Sequence, residues 1–169
     1  MTPKERLRKR LTTARAFTER LFEDFHSPEE WTRQVCDQTN HALWIAGHLA
    51  LTDNFFLTQI APDLAEPRDE YQTLFGVGSQ PVADPAHYPA AATVLEYLRD
   101  RRAVLLAAFD ALDEEAMSTP TPDGSPDFLN DIGAVFETAV WHEGMHTGQL
   151  SVVRRSLGHE PVNAPQPQA

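Results

Sequence analysis

Apolar residues recur at intervals of three and four along most of this chain, and the places where that rhythm fails divide it into four long helical stretches. Thr2, Pro3 and Glu5 supply a cap, a first-turn proline and a capping-box partner for the first stretch. Leu7, Leu11, Ala14, Phe17, Leu21 and Phe25 then follow at helical spacing and predict one long amphipathic helix. The run His26-Ser27-Pro28-Glu29-Glu30-Trp31 reads as a break with a short capped turn, and a second long helix is predicted from near Thr39 toward Gln59. Between Ala61 and Pro89 the period is lost among Pro62, Pro67, Gly76, Gly78, Pro81 and Pro85, which predicts a long connection. Val94, Leu95, Leu98, Leu105, Phe109 and Leu112 restore it over 90–112, and Pro120, Pro122, Gly124 and Pro126 break it again. The last helix is predicted over 130–157, with Asn130 or Asp131 as its cap, Arg154 and Arg155 at its negative end, and Gly158 just beyond.

No β-branched run alternates at period two, so the expected class is all-α, a four-helix bundle with long connecting loops. At 169 residues the chain is expected to form one domain over 1–158, burying about 70% of the surface of its unfolded form, with 159–169 as a flexible tail. Fourteen Lys and Arg against 25 Asp and Glu leave a net charge of −11, which disfavours the phosphate backbone as a general partner, so no nucleic acid is expected. The basic clusters Arg6–Arg10 and Arg99, Arg101 and Arg102 are expected to be solvated helix faces. Neither an export signal nor the roughly 20-residue apolar run of a membrane span is read, so no membrane is expected as a partner. Cys36 stands alone, which excludes an internal disulfide, fits a reducing compartment such as the cytoplasm, and suggests a small buried apolar residue.

The chemistry concentrates in the histidines. His142 and His146 are one helical turn apart in Trp141-His142-Glu143-Gly144-Met145-His146, so a helix aims both rings at one point. Two nitrogens at that spacing can meet one divalent ion at roughly 2.0 to 2.1 Å, but a usable site needs a third group. His48, inside Gly47-His48-Leu49, is the best candidate, with His41 in reserve; His26, His87 and His159 fall near breaks or in loops. The bland alternative is a pair of histidines hydrogen-bonded at the edge of a bundle. A sharper rival is the H-E-x-x-H pattern of zinc peptidases, in which Glu143 would activate water. Against it stand the lack of a convincing downstream third ligand, a glycine inside the motif, and no sheet edge to hold a peptide. Glu143 is left as either a base beside the metal or a surface residue.

Gly47-His48-Leu49 followed by H-x-x-x-H-x-G-Q-L over 142–150 resembles the DinB-like (YfiT-like) superfamily, and the likeness in helix order covers nearly the whole chain. The resemblance implies an up-down-down-up bundle, often a homodimer, with His48, His142 and His146 holding a divalent metal such as zinc, nickel or iron. Related proteins include bacillithiol and glutathione S-transferase-like enzymes, mycothiol-dependent maleylpyruvate isomerase and the iron-binding domain of ergothioneine-forming sulfoxide synthases. A small-molecule substrate, a low-molecular-weight thiol among the candidates, is therefore the implied partner. Three imidazoles leave a coordination position open, where a metal lowers the pKa of a bound thiol or water. Gln149 and Thr52 are candidates for the rim of that site, and the connection over 61–89 for its wall. The expected function is a metal-dependent thiol transferase or hydrolase, with a non-catalytic ligand-binding or stress-response bundle as the alternative.

Overall fold

Three of the four long helices begin where a side chain takes up backbone donors that the helix itself leaves unpaired. In a computed structural model that describes residues 1–163, Thr2 and Glu5 form the expected capping box at the start of α1 (Pro3–Phe22). Ser27 and Glu30 repeat it for the short α2 (Pro28–Trp31). His41 caps α3 (Ala42–Ile60) through its ring, Nδ1 accepting from the Trp44 amide at 3.0 Å. Two further helices are α4 (Asp69–Phe75) and α5 (Ala91–Ala111). Asp131, one of the two predicted caps, accepts from the Ala134 amide at 2.7 Å to open α6 (Ile132–Ser156). Gly158, at φ +90°, follows its end in the conformation expected of a C′ glycine.

The described residues are all-helical, without a strand; an isolated bridge pairs Pro120 with Asp131. None of the helices is long and apolar enough to cross a membrane. The long helices pack as a bundle, α3 against α5 and α6, and α1 against α6, with α4 laid on α3. Helix α4 corrects the expectation of a featureless connection over 61–89. Seven residues are too few to reveal a period among prolines, yet Tyr71 and Phe75, four apart, give it a buried face. The predicted tail is partly described: Arg154 donates to the Glu160 carbonyl at 3.1 Å and Val162 packs on the core, while 164–169 lie outside the described residues.

The apolar core has two parts, and charged side chains lie between them. One part gathers Phe22, Leu43, Ile45, Leu49, Leu98 and Leu150; the other gathers Leu11, Phe56, Leu57, Leu105, Phe109 and Phe136. Between its contributions to the two, each long helix supplies one member of a charged layer: Arg15 from α1, Asp53 from α3, Arg102 from α5 and Glu143 from α6. All four are buried. Arg15 grips Glu143 with two donors at 3.0 and 2.8 Å and reaches Asp53 at 3.0 Å. Arg102 grips Asp53 at 2.9 and 2.8 Å and reaches Glu143 at 2.8 Å. Two cations and two anions balance, and paired forks satisfy most of their polar atoms, which makes the burial tolerable.

Three expectations are corrected by the observed burial. Arg102 and its neighbour Arg101 are buried rather than solvated, Arg101 donating to the Leu64 carbonyl at 3.0 Å and pairing with Glu66. Arg99 and the residues near the start of α1 do meet solvent, where Arg99 pairs with Glu19 and Arg8 with Asp110. On α1 the inward positions include Arg15 and Thr18, and Phe17, counted in the apolar stripe, is exposed. Cys36, expected to be buried, sits exposed in a turn.

Candidate metal centre

Helices α3 and α6 bring His48, His142 and His146 together. One ring nitrogen from each lies within 4.8 Å of the other two, and no other such group of histidine, cysteine or carboxylate side chains occurs among the described residues. The Nε2 of His142 is 3.2 Å from that of His48 and 3.1 Å from that of His146. His48 and His146 are buried and His142 is half-buried.

The far side of each buried ring decides what the near side can do. Nδ1 of His48 lies 2.8 Å from the Phe75 carbonyl, which can only accept, so the proton sits on Nδ1 and the Nε2 lone pair points inward. Nδ1 of His146 lies 2.9 Å from Oε1 of Gln149, and the same logic frees its Nε2. His142 can donate to only one of these two acceptors. At least one of the two close nitrogen contacts is therefore a meeting of lone pairs, which a cation would resolve. Three imidazole nitrogens about 2.0–2.1 Å from a tetrahedral ion sit about 3.3 Å apart, close to the separations found here. The residues thus fit a divalent ion.

Burial keeps all three rings neutral, the form that ligates. It lowers the His142 pKa to about 3, helped by the neighbouring His146 and His48, and that of His146 to about 4; burial lowers His48 too.

Supporting residues hold the rings in place. Trp44, one turn before His48, stacks on it with centroids 4.5 Å apart and planes 12° apart, and its indole nitrogen donates to Ser79 at 2.8 Å. Gln149 accepts from Asn40 at 3.1 Å as well as meeting His146, so the sequence expectation that it borders the site has a specific geometry. Gln149→Leu is expected to lower divalent-metal affinity by about 10- to 100-fold, as loss of an outer hydrogen-bonding partner does elsewhere, measured by competition with a chromophoric chelator. Thr52 donates to the His48 carbonyl at 2.9 Å.

Gly47 matters for another reason. A Cβ there would lie 2.3 Å from the Phe75 ring, so only glycine lets α4 lie close enough for the Phe75 carbonyl to take the His48 proton. Gly47→Ala is expected to destabilise the fold by about 1 to 3 kcal/mol through overpacking, more than the roughly 1 kcal/mol alanine adds to a helix interior. Thermal melts would register the loss, and weakened metal uptake would accompany it.

Other candidates go elsewhere. His41, the reserve ligand, is committed to capping α3, and burial lowers its pKa to about 4. His26 and His87 are exposed and His159 is half-buried, none of them in the group. Glu143 is neither a base beside the metal nor a surface residue. Burial alone would raise its pKa, but Arg15 and Arg102 overcome that and hold it at about 2, with both oxygens occupied by guanidinium donors. The sequence offered one cue, an arginine at helical register on each of two facing helices, which read more simply as surface charge.

Beside the three histidines opens a cleft of about 320 Å³, with His48 and His142 in its wall. Leu51, Phe55, Phe56, Phe128 and Trp141 form its apolar sides, and Gln72, Gly76 and Val77 bring the 61–89 connection to it as anticipated.

The family model for the DinB superfamily matches residues 10–150, and the chain belongs to that superfamily. Searches of curated proteins and of solved structures found no match. An all-helical fold, a three-histidine group able to hold a metal ion and family membership therefore agree.

Proposed function

We propose that this chain is a metal-dependent enzyme acting on small molecules, of the thiol S-transferase type, with His48, His142 and His146 as its ligands and zinc, nickel or iron as the ion. One observation carries the proposal: Nδ1 of His48 and Nδ1 of His146 each lie against an acceptor oxygen, of Phe75 and Gln149, while their Nε2 atoms converge on Nε2 of His142. A divalent ion held there would supply Lewis-acid activation, lowering the pKa of a thiol placed at the open position. The protein's own part is to keep the rings neutral and fixed, and to hold the reaction partner in the adjoining apolar cleft. In the transfer, the thiol sulfur forms a bond to an electrophilic carbon, the displaced group leaves with its bonding electrons, and the thiol proton passes to solvent.

The commitment of Glu143 to Arg15 and Arg102 weighs against the peptidase alternative, which needs that carboxylate free to take a proton from water. It also favours, as a second reading, a non-catalytic binding bundle, since no carboxylate lines the cleft to act as acid or base. The up-down-down-up helix order, a single domain over 1–158, a homodimeric state and a cytoplasmic location belong to the proposal as well. Restoring metal and screening thiol and electrophile pairs tests it: turnover that His146→Ala abolishes in a folded protein supports an enzyme, and the absence of turnover with any pair favours the binding bundle.

A further inference from the structure

The cleft beside the histidines has no lysine, arginine, aspartate or glutamate in its lining. Its polar groups other than the histidines are Thr52, Gln72 and Thr138, and the Thr52 hydroxyl already donates to the His48 carbonyl. The guanidiniums of the core, Arg15 and Arg102, are committed to Asp53 and Glu143 and are not part of that lining. At the outer rim, where Phe128 and Trp141 are exposed, the neighbouring charged side chain is the carboxylate Glu137. A carboxylate or phosphate entering the cleft would shed water without gaining a counter-ion, inside a protein of net charge −11. An ammonium group carried into the inner cleft would also lose water there without meeting an anion. An apolar ring loses nothing polar and covers Phe55, Phe56 and Trp141. The volume, about 320 Å³, is at the small end of the range for ligand pockets and suits one ring with a short substituent.

We propose that the cleft selects an uncharged, compact, apolar molecule of about one aromatic ring, whose single donor or reactive atom is directed at His48 and His142, and that it excludes charged analogues of the same shape. The inference rests on the proposal that the three-histidine group is the reactive end of the cleft. It narrows the substrate class: the molecule held in the cleft carries no ionised group, so a thiol bearing carboxylates is not its occupant.

The test uses the full chain, first without metal. Three para-substituted benzyl alcohols, 4-methylbenzyl alcohol, 4-(hydroxymethyl)benzoate and 4-(hydroxymethyl)benzylamine, are titrated while the Trp141 indole N–H resonance is followed by NMR. The neutral probe is expected to bind at least about tenfold more tightly than either charged one. Equal or reversed affinities, or no perturbation of Trp141 by the neutral probe, would overturn the inference. Thr138→Lys, which adds a cation to the wall, is expected to raise benzoate affinity about tenfold relative to the alcohol; no change would place the ligand elsewhere and also overturn it. Cobalt(II) binding is then measured separately. Selectivity for the neutral probe without metal uptake defeats the proposed function and leaves the cleft's selectivity standing, whereas metal uptake without selectivity defeats this inference alone.

Discussion

Glu143→Ala is expected to cost about 3 to 5 kcal/mol of folding stability, because it strips Arg15 and Arg102 of one of their two buried anions and leaves cationic charge uncompensated in the core. That is a large share of the roughly 5–15 kcal/mol that holds a domain together. Denaturant melts would measure it. A base acting on water predicts the opposite pattern, a variant that folds normally and has lost only turnover. The same pairing sets an acid limit on stability. A carboxyl held at about 2 in the folded state, against an ordinary 4.5, contributes its stabilisation fully above about pH 4.5 and loses it as pH falls toward about 2. Chemical melts over that window are expected to show stability falling steeply, with the fall largely absent from a variant in which all four residues of the layer are apolar.

The second large effect concerns the ligands. His146→Ala is expected to reduce divalent-metal affinity by more than about 100-fold, beyond the roughly 10- to 100-fold typical of losing an outer partner. Wild-type protein held at about 100 times its dissociation constant should gain about 2.7 kcal/mol from binding, a rise of roughly 5–11 °C in Tm for a domain of this size. The variant should gain almost nothing. His142→Ala is expected to behave alike toward metal while leaving the metal-free fold intact, since the half-buried His142 ring holds no partner beyond the two histidines that crowd it.

Much of this architecture was legible in the sequence because local signals acted alone. Thr2, Ser27 and Asp131 cap helices through their own side chains, and the apolar period of α3, α5 and α6 reports burial directly. His142 and His146 need only a helical turn to meet, and His48 is legible from its company and from the family resemblance. What stayed hidden depends on partners distant in the chain. Arg15 and Arg102 look like any solvated charge until Asp53 and Glu143 are seen across the bundle, and Gly47 looks like a weak point in a helix until Phe75 from α4 is laid against it. Helix α4 carries little periodic signal because it is short and framed by prolines. Its Phe75 carbonyl nevertheless orients His48.

Trp44 offers a direct report on the central claim, as its ring stacks on His48 and lies 6.1 Å from His146. Metal-stripped protein without an affinity tag, titrated with cobalt(II), is expected to bind one equivalent per chain, with a visible absorption of low-symmetry cobalt and quenching of Trp44 fluorescence. Both signals should vanish in His48→Ala. Binding that is absent, or that persists unchanged when His48, His142 and His146 are all replaced by alanine, would contradict the account.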